Sequence, residues 1–182
     1  MKGKRLFSII VLLCCFNGLP AQKAISPVSQ GSKVHFVIKN FGFKTGGDFS
    51  GLKGTIKFDP KNPAASSFDV TVNAATVDTD NSSRDSHLKK EEYFDVNKYP
   101  TIRMQSTRIE GTVKPGRYQF SGKLTIKSTT KPIEFQFTVT EKDGGYLFVS
   151  DDIKLNRREY GVGGSSVSLA DELRVSLSVA AK

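Results

Sequence analysis

The side chains with the chemistry for catalysis are few and poorly placed for it. His35 and His87 are the two histidines, and a nucleophile and base pair of the hydrolase kind needs one of them oriented by a third group. His35 falls on the polar side of an alternating stretch and His87 in a helix-like one, so each reads as a surface residue. The adjacent carboxylates Glu91-Glu92 and Asp151-Asp152 point different ways on a strand and only loosely together on a helix. They do not spell out the facing pair that glycoside hydrolysis uses. There is no HxH, HExxH or calcium-loop spacing in the chain, so no metal centre is expected. The glycines from Gly42 to Gly47 and in Gly161-Val162-Gly163-Gly164 lack the strand-turn-helix frame of a phosphate loop and read as turns. No catalytic residue and no cofactor is expected.

The two cysteines, Cys14 and Cys15, lie in an N-terminal segment with basic residues Lys2, Lys4 and Arg5, an apolar run from Leu6 to Phe16, and turn-prone Asn17-Gly18-Leu19-Pro20-Ala21. That order predicts a secretory signal over 1–21, because the apolar run is well short of the ~20 residues of a spanning helix. A periplasmic or extracellular protein without thiols follows. Acylation at Cys14 or Cys15 is the less expected alternative, because Leu13 and Cys14 are not the small residues that lipoprotein processing prefers. The formal charge is +9, and losing Lys2, Lys4 and Arg5 with no acid would leave +6. The basic residues alternate with apolar ones instead of clustering, which describes a solvated outer face and no nucleic-acid site.

The elements that must position any site come from period-two alternation, which marks strands with one buried face. It runs through Lys33 to Lys39, Leu52 to Phe58, Phe68 to Ala74, Ile102 and Met104, Tyr118 to Ile126, and Ile133 to Val139. A seventh strand is expected to run to about Leu155, and an eighth carries Leu173, Val175, Leu177 and Val179. Turn signals such as Asp59-Pro60, Lys114-Pro115-Gly116 and Asp143-Gly144-Gly145 separate them, which predicts an antiparallel all-β meander. A closed barrel and a sandwich both satisfy this pattern. Asn81 to Phe94 breaks it, with capping hydroxyls and an acid in the first turn followed by helix formers, and predicts a helix of two or three turns docked by Leu88 and Phe94. After a short lead-in over 22–31, residues 32–182 are expected to form one domain.

Thirteen phenylalanines and no tryptophan are a strong bias, and many of the phenylalanines fall on the inward faces of these strands. An eight-stranded barrel is just wide enough to be filled by side chains or to hold one ligand, so periodicity leaves a packed core and a hollow one open. The residues then carry a resemblance. Arg84-Asp85-Ser86-His87-Leu88, Glu92-Tyr93-Phe94-Asp95-Val96 and Tyr99-Pro100-Thr101-Ile102 are similar to segments of the YceI-like family. Gly54 to Pro60, Gly122 to Ile126 with Thr130-Lys131-Pro132, and Asn156-Arg157-Arg158-Glu159-Tyr160-Gly161 follow in that family's order. Asn40 and Lys127-Ser128-Thr129 depart from its pattern, which bears on head-group contacts near those turns.

The resemblance implies a lipocalin-like eight-stranded antiparallel barrel with one short helix across an opening, enclosing a tunnel for an isoprenoid lipid such as a quinone or polyprenyl chain. On that basis the tunnel lining is expected from Phe36, Ile38, Leu52, Ile56, Phe58, Phe68, Val70, Val72, Met104, Phe120, Leu124, Phe135, Phe137 and Val175. Arg84 and Asp85 either shape the entrance or serve locally, Asp85 as helix cap and Arg84 paired with a carboxylate. Transient contact with a membrane surface fits such a carrier. The polar outer strand faces leave the oligomeric state open, a homodimer included. A structural or stress-associated envelope protein with a filled barrel is the alternative.

Overall fold

In the computed structural model, which describes residues 24–182, the alternating stretches become one antiparallel sheet of eleven strands. These are β1 (Ala24–Ile25), β2 (Pro27–Asn40), β3 (Phe43–Phe49), β4 (Lys53–Lys57), β5 (Ser67–Asn73), β6 (Thr101–Gly111), β7 (Arg117–Ile126), β8 (Thr129–Lys142), β9 (Gly145–Ser150), β10 (Ile153–Asn156) and β11 (Leu169–Ala181). The expected signal segment lies outside the described residues. Strand order is β1-β4-β5-β6-β7-β8-β9-β11-β2-β3, with β10 also paired to β11.

The eight-stranded closed barrel is corrected in two respects. Three further strands are present: β1, β3, and β10, which Asp151-Asp152 separates from β9. The stretch expected as a Gly42–Gly47 turn is mostly strand, because only Phe41-Gly42 turns the chain, with φ of 48° and 82°. Gly47 pairs with Phe36 in the ladder, and the Phe36 ring leaves no room for a side chain there, since a Cβ would come within 2.5 Å of it. Among the described residues no ladder joins the two ends of the order, β1 and β3. A single bridge, with Asp48 N donating to Asp78 O at 2.8 Å and Asp78 N to Asp48 O at 3.0 Å, ties β3 to the segment after β5. The sheet nevertheless curls round one interior, since residues from β2, β5, β7 and β11 face a common cavity. Part of the expected lead-in is also strand, with Pro27 and Val28 opposite Ala181 and Ala180 of β11.

Helix α1 (Ser82–Leu88) is shorter than the stretch that predicted it. Asn81 caps its start, the side chain accepting from Arg84 N at 2.9 Å. Beyond Leu88 the chain makes turns, with Phe94 N donating to Leu88 O and Asp95 in the left-handed region at φ 48°. Phe94 packs edge-on against Phe49 of β3 at 5.3 Å, and Leu88 and Phe94 both line the interior cavity.

Candidate functional site

The interior has two unlike halves, and strand register decides which residues fall in each. Toward one end, Phe58, Phe68, Tyr118, Phe137 and Phe148 form an edge-to-face cluster, with Phe58 and Phe68 5.4 and 5.3 Å from Phe148. Phe120 stacks on Phe135 at 4.7 Å and is 1% exposed. Aromatic rings in these arrangements fill space and gain beyond their buried area. Toward the other end the same strands present smaller and aliphatic residues, and these enclose a cavity of about 620 Å³. That volume lies within the range of about 300–1,000 Å³ usual for sites that bury a small organic ligand.

Of the residues expected to line a tunnel, Phe36, Ile38, Leu52, Val70, Val72, Met104, Leu124 and Val175 do line this cavity. Ile56, Phe58, Phe68, Phe120, Phe135 and Phe137 do not; Ile56 is core and the five phenylalanines belong to the filled half. Alternation placed all of them inward but carries no information about depth along the axis. Because β5, β6, β7 and β8 are antiparallel neighbours, Ile109, Phe120 and Phe135 share one rung in the filled half, and Val70, Met104 and Leu124 share another that faces the cavity. The question of a packed or hollow interior therefore has a divided answer.

Further lining residues were not anticipated from sequence. They include Phe49 on β3, Ile153 and Leu155 on β10, and Leu173, Leu177 and Val179 on β11. The last three alternate with Val175 and carry the same signal. Phe49 was hidden by the glycines that made its strand read as a turn.

The helix motif sits at the cavity wall. Arg84 Nε donates to Thr79 Oγ1 at 2.8 Å and Nη2 to Thr79 O at 2.6 Å, so its partner is a threonine and not the expected carboxylate. Asp85 Oδ1 accepts from Thr79 N at 2.9 Å and from Thr79 Oγ1 at 2.6 Å. Asn81 is thus the cap, and Asp85 holds the preceding segment onto the helix. A polar cleft of about 320 Å³ adjoins the cavity, and His35, Thr45, Thr79 and Arg84 line both. His35 is fixed there by a hydrogen bond between Nδ1 and Asp48 Oδ1 at 2.7 Å. His87 meets Tyr93 edge-on at 5.1 Å and approaches Glu92 at 3.5 Å. Among the described residues no cluster of His, Cys, Asp or Glu could hold a metal ion.

Among the described residues the most buried charge is Arg157, 5% exposed, in the 3₁₀ turn Arg157–Tyr160. Its guanidinium donates to the carbonyls of Ala170, Val162 and Gly164 at 2.9 Å, to Leu169 O at 3.3 Å and to Asp171 Oδ1 at 2.9 Å. A buried cation is tolerable when its donors are met in this way. Arg157 ties the loop that follows β10 to the start of β11, and both line the cavity. Beside it, burial, with the nearby Glu159 charge, pushes the Tyr160 hydroxyl pKa up. The motif Asn156 to Gly161 was legible in sequence, but nothing in it marked Arg157 as buried. Lys127, at one of the departures from the family pattern, spans Glu91 O at 2.8 Å and Gly161 O at 3.1 Å.

Comparison with known proteins agrees with this geometry. A UPF0312 protein of Pectobacterium atrosepticum is 34% identical over 131 residues, which is 71% of this chain and 67% of the relative. A UPF0312 protein of Yersinia enterocolitica is 29% identical over 171 residues, 90% of this chain and 87% of the relative. The crystal structure of Burkholderia cenocepacia BcnA superposes with a TM-score of 0.77 at 26% identity, covering 83% of this chain and 96% of BcnA. A polyisoprenoid binding domain from Saccharophagus degradans, implicated in plant cell wall breakdown, shares the fold at a TM-score of 0.69 and 12% identity, covering 87% of this chain and 97% of that one. The YceI-like domain model matches residues 26–181, nearly all of the described sheet. Since that match spans well over half of the sequence, the chain belongs to the YceI-like domain family.

Proposed function

We propose that this chain is a non-catalytic carrier that holds a long-chain isoprenoid lipid, of quinone or polyprenyl type, and that it works in the cell envelope after export. The observation that carries the reading is the apolar cavity of about 620 Å³, walled by strands from across the sheet and by Leu88 and Phe94. Membership of the YceI-like family supports it, and the fold is shared with a domain described as polyisoprenoid-binding. The lipid chain would lie among Phe36, Val70, Met104, Leu124 and Val175, with any polar group toward the cleft of His35 and Arg84.

Physical chemistry decides between carrier and scavenger. Each buried methylene is worth about 0.8 kcal/mol relative to water, so a five-carbon isoprene unit gains roughly 3–4 kcal/mol in a dry cavity. A membrane offers the tail a similar gain, so net extraction is near zero or unfavourable. The protein would therefore lower the cost of crossing water without emptying membranes. Loading purified protein with a long-chain polyprenol from cyclodextrin, followed by native mass spectrometry, tests this. The reading expects saturation near one lipid per chain, and no uptake from an excess of cyclodextrin complex would contradict it.

A further inference from the structure

We infer that the β2–β3 hairpin tip is a membrane-docking element, with Phe41 and Phe43 entering the interfacial region of an anionic bilayer beside the mouth of the cavity. This docking face deepens the carrier reading and rests on it. Phe41 and Phe43 are 75% and 77% exposed, and Val167, in the neighbouring loop, is fully exposed. Phe41 N donates to Ser168 O at 2.8 Å, which sets that loop beside the hairpin.

Local structure gives no reason for these choices. Phe41 and Gly42 form a two-residue turn with both φ values positive, 48° and 82°, between the paired Asn40 and Phe43. Such turns favour Asn-Gly or Asp-Gly, and a bulky residue at positive φ is strained. The Phe41 ring fills no core and satisfies no turn. Directly below, Lys39 and Lys44 are cross-strand partners and both are exposed, an arrangement in which like charges repel.

An anionic lipid surface answers both features. Aromatic side chains favour the boundary between headgroups and acyl chains, and lysines beside them are drawn to anionic headgroups. Lys44 also borders the polar cleft that holds Asp48, Asp78 and Asp80, but Asp48 pairs with His35, four residues along β3 from Lys44 and farther from the turn. Continuity with the cavity fixes the orientation: Phe36, Ile38 and Asn40 alternate along the lined face of β2, and Phe41 itself lines the cavity. An apolar path thus runs from the interior to the tip.

The test is flotation of the full chain with vesicles of phosphatidylcholine, with and without phosphatidylglycerol. Phe41→Asn/Phe43→Thr places the preferred residue in the turn and a good strand former beside it, so the urea midpoint should hold or rise. Binding to the anionic vesicles should fall on the order of 100-fold, as expected for removing two aromatic anchors. Lys39→Gln/Lys44→Gln should lower it about 30-fold at low salt, with the difference shrinking as salt rises. Uptake of polyprenol from cyclodextrin, measured without vesicles, should be unchanged in the lysine variant, because neither Lys39 nor Lys44 lines the cavity. Wild type that fails to float, or a phenylalanine variant that floats equally well, overturns the inference. So does a wild-type dimer in light scattering that the phenylalanine variant loses without change on vesicles, since a second copy would then own the face. If wild type floats but takes no polyprenol, the carrier reading fails and the docking face stands.

Discussion

Val175→Trp and Phe120→Ala should separate cargo binding from stability, because they fall in opposite halves of the interior. Val175 lines the cavity from β11, opposite Phe36 on β2 and Ile153 on β10. A tryptophan there projects into open volume, so the overpacking cost of about 1–3 kcal/mol seen in filled cores should be largely avoided and stability should stay within about 1 kcal/mol of wild type. If the indole displaces a single isoprene unit, five carbons at about 0.8 kcal/mol each are lost, about 4 kcal/mol or close to 1,000-fold in Kd. Phe120 is 1% exposed and stacked on Phe135. Its truncation to alanine should cost about 3–5 kcal/mol, on the order of 10 °C in Tm, with little effect on affinity in the protein that remains folded. Urea unfolding gives the stabilities, and polyprenol titration from cyclodextrin gives relative affinities with the donor term cancelled. The native chain has no tryptophan, so the introduced indole also reports the cavity by its emission. A Val175→Trp protein that unfolds as readily as Phe120→Ala, or that binds polyprenol as wild type does, would refute the division into filled and hollow halves.

Other expectations follow from the buried polar groups. Arg157→Ala strips donors from four backbone carbonyls and should cost about 3 kcal/mol or more in urea unfolding; Arg157→Lys should recover little, since an ammonium cannot fork among them. Tyr160 titrates above its ordinary value of 10.0, chiefly from burial, so its contribution is fully present below the unfolded pKa and lost as pH rises through the folded one. Stability of wild type should therefore fall more steeply above about pH 10 than that of Tyr160→Phe, read from urea midpoints across that window. Asp69 is held below the usual carboxylate range, first by the hydrogen bond from Arg103, whose Nη2 lies 2.6 Å from Oδ2. Its contribution is present above the unfolded pKa and lost as pH falls through the folded one, and because the pair is half exposed, Asp69→Asn should cost less than about 1 kcal/mol at neutral pH.

Much of this architecture was legible because alternation is a local signal. The strands through Phe36, Val70, Phe120, Phe137 and Val175, and a helix after Asn81, follow from side-chain period and capping alone. What escaped was set by distant contacts. β3 was hidden because Gly46 and Gly47 look like a turn until the Phe36 ring is seen to cross Gly47. The two halves of the interior depend on strand register, so Phe68 and Val72, identical in pattern, part company: one joins the aromatic cluster and the other the cavity. Arg157 was unreadable as a buried charge because its partners, Ala170, Leu169 and Asp171, lie more than a turn away along the chain. The exposed aromatics at Phe41 and Phe43 were visible as residues but not as a surface, since exposure is a property of the fold.

The most direct test of the carrier account is native mass spectrometry of the protein purified from its native cells, followed by organic extraction and identification of what is released. The account predicts a long-chain isoprenoid, a quinone or a polyprenyl lipid, at close to one per chain. An empty protein that also refuses added long-chain isoprenoids would contradict it and leave a structural role without lipid cargo in its place.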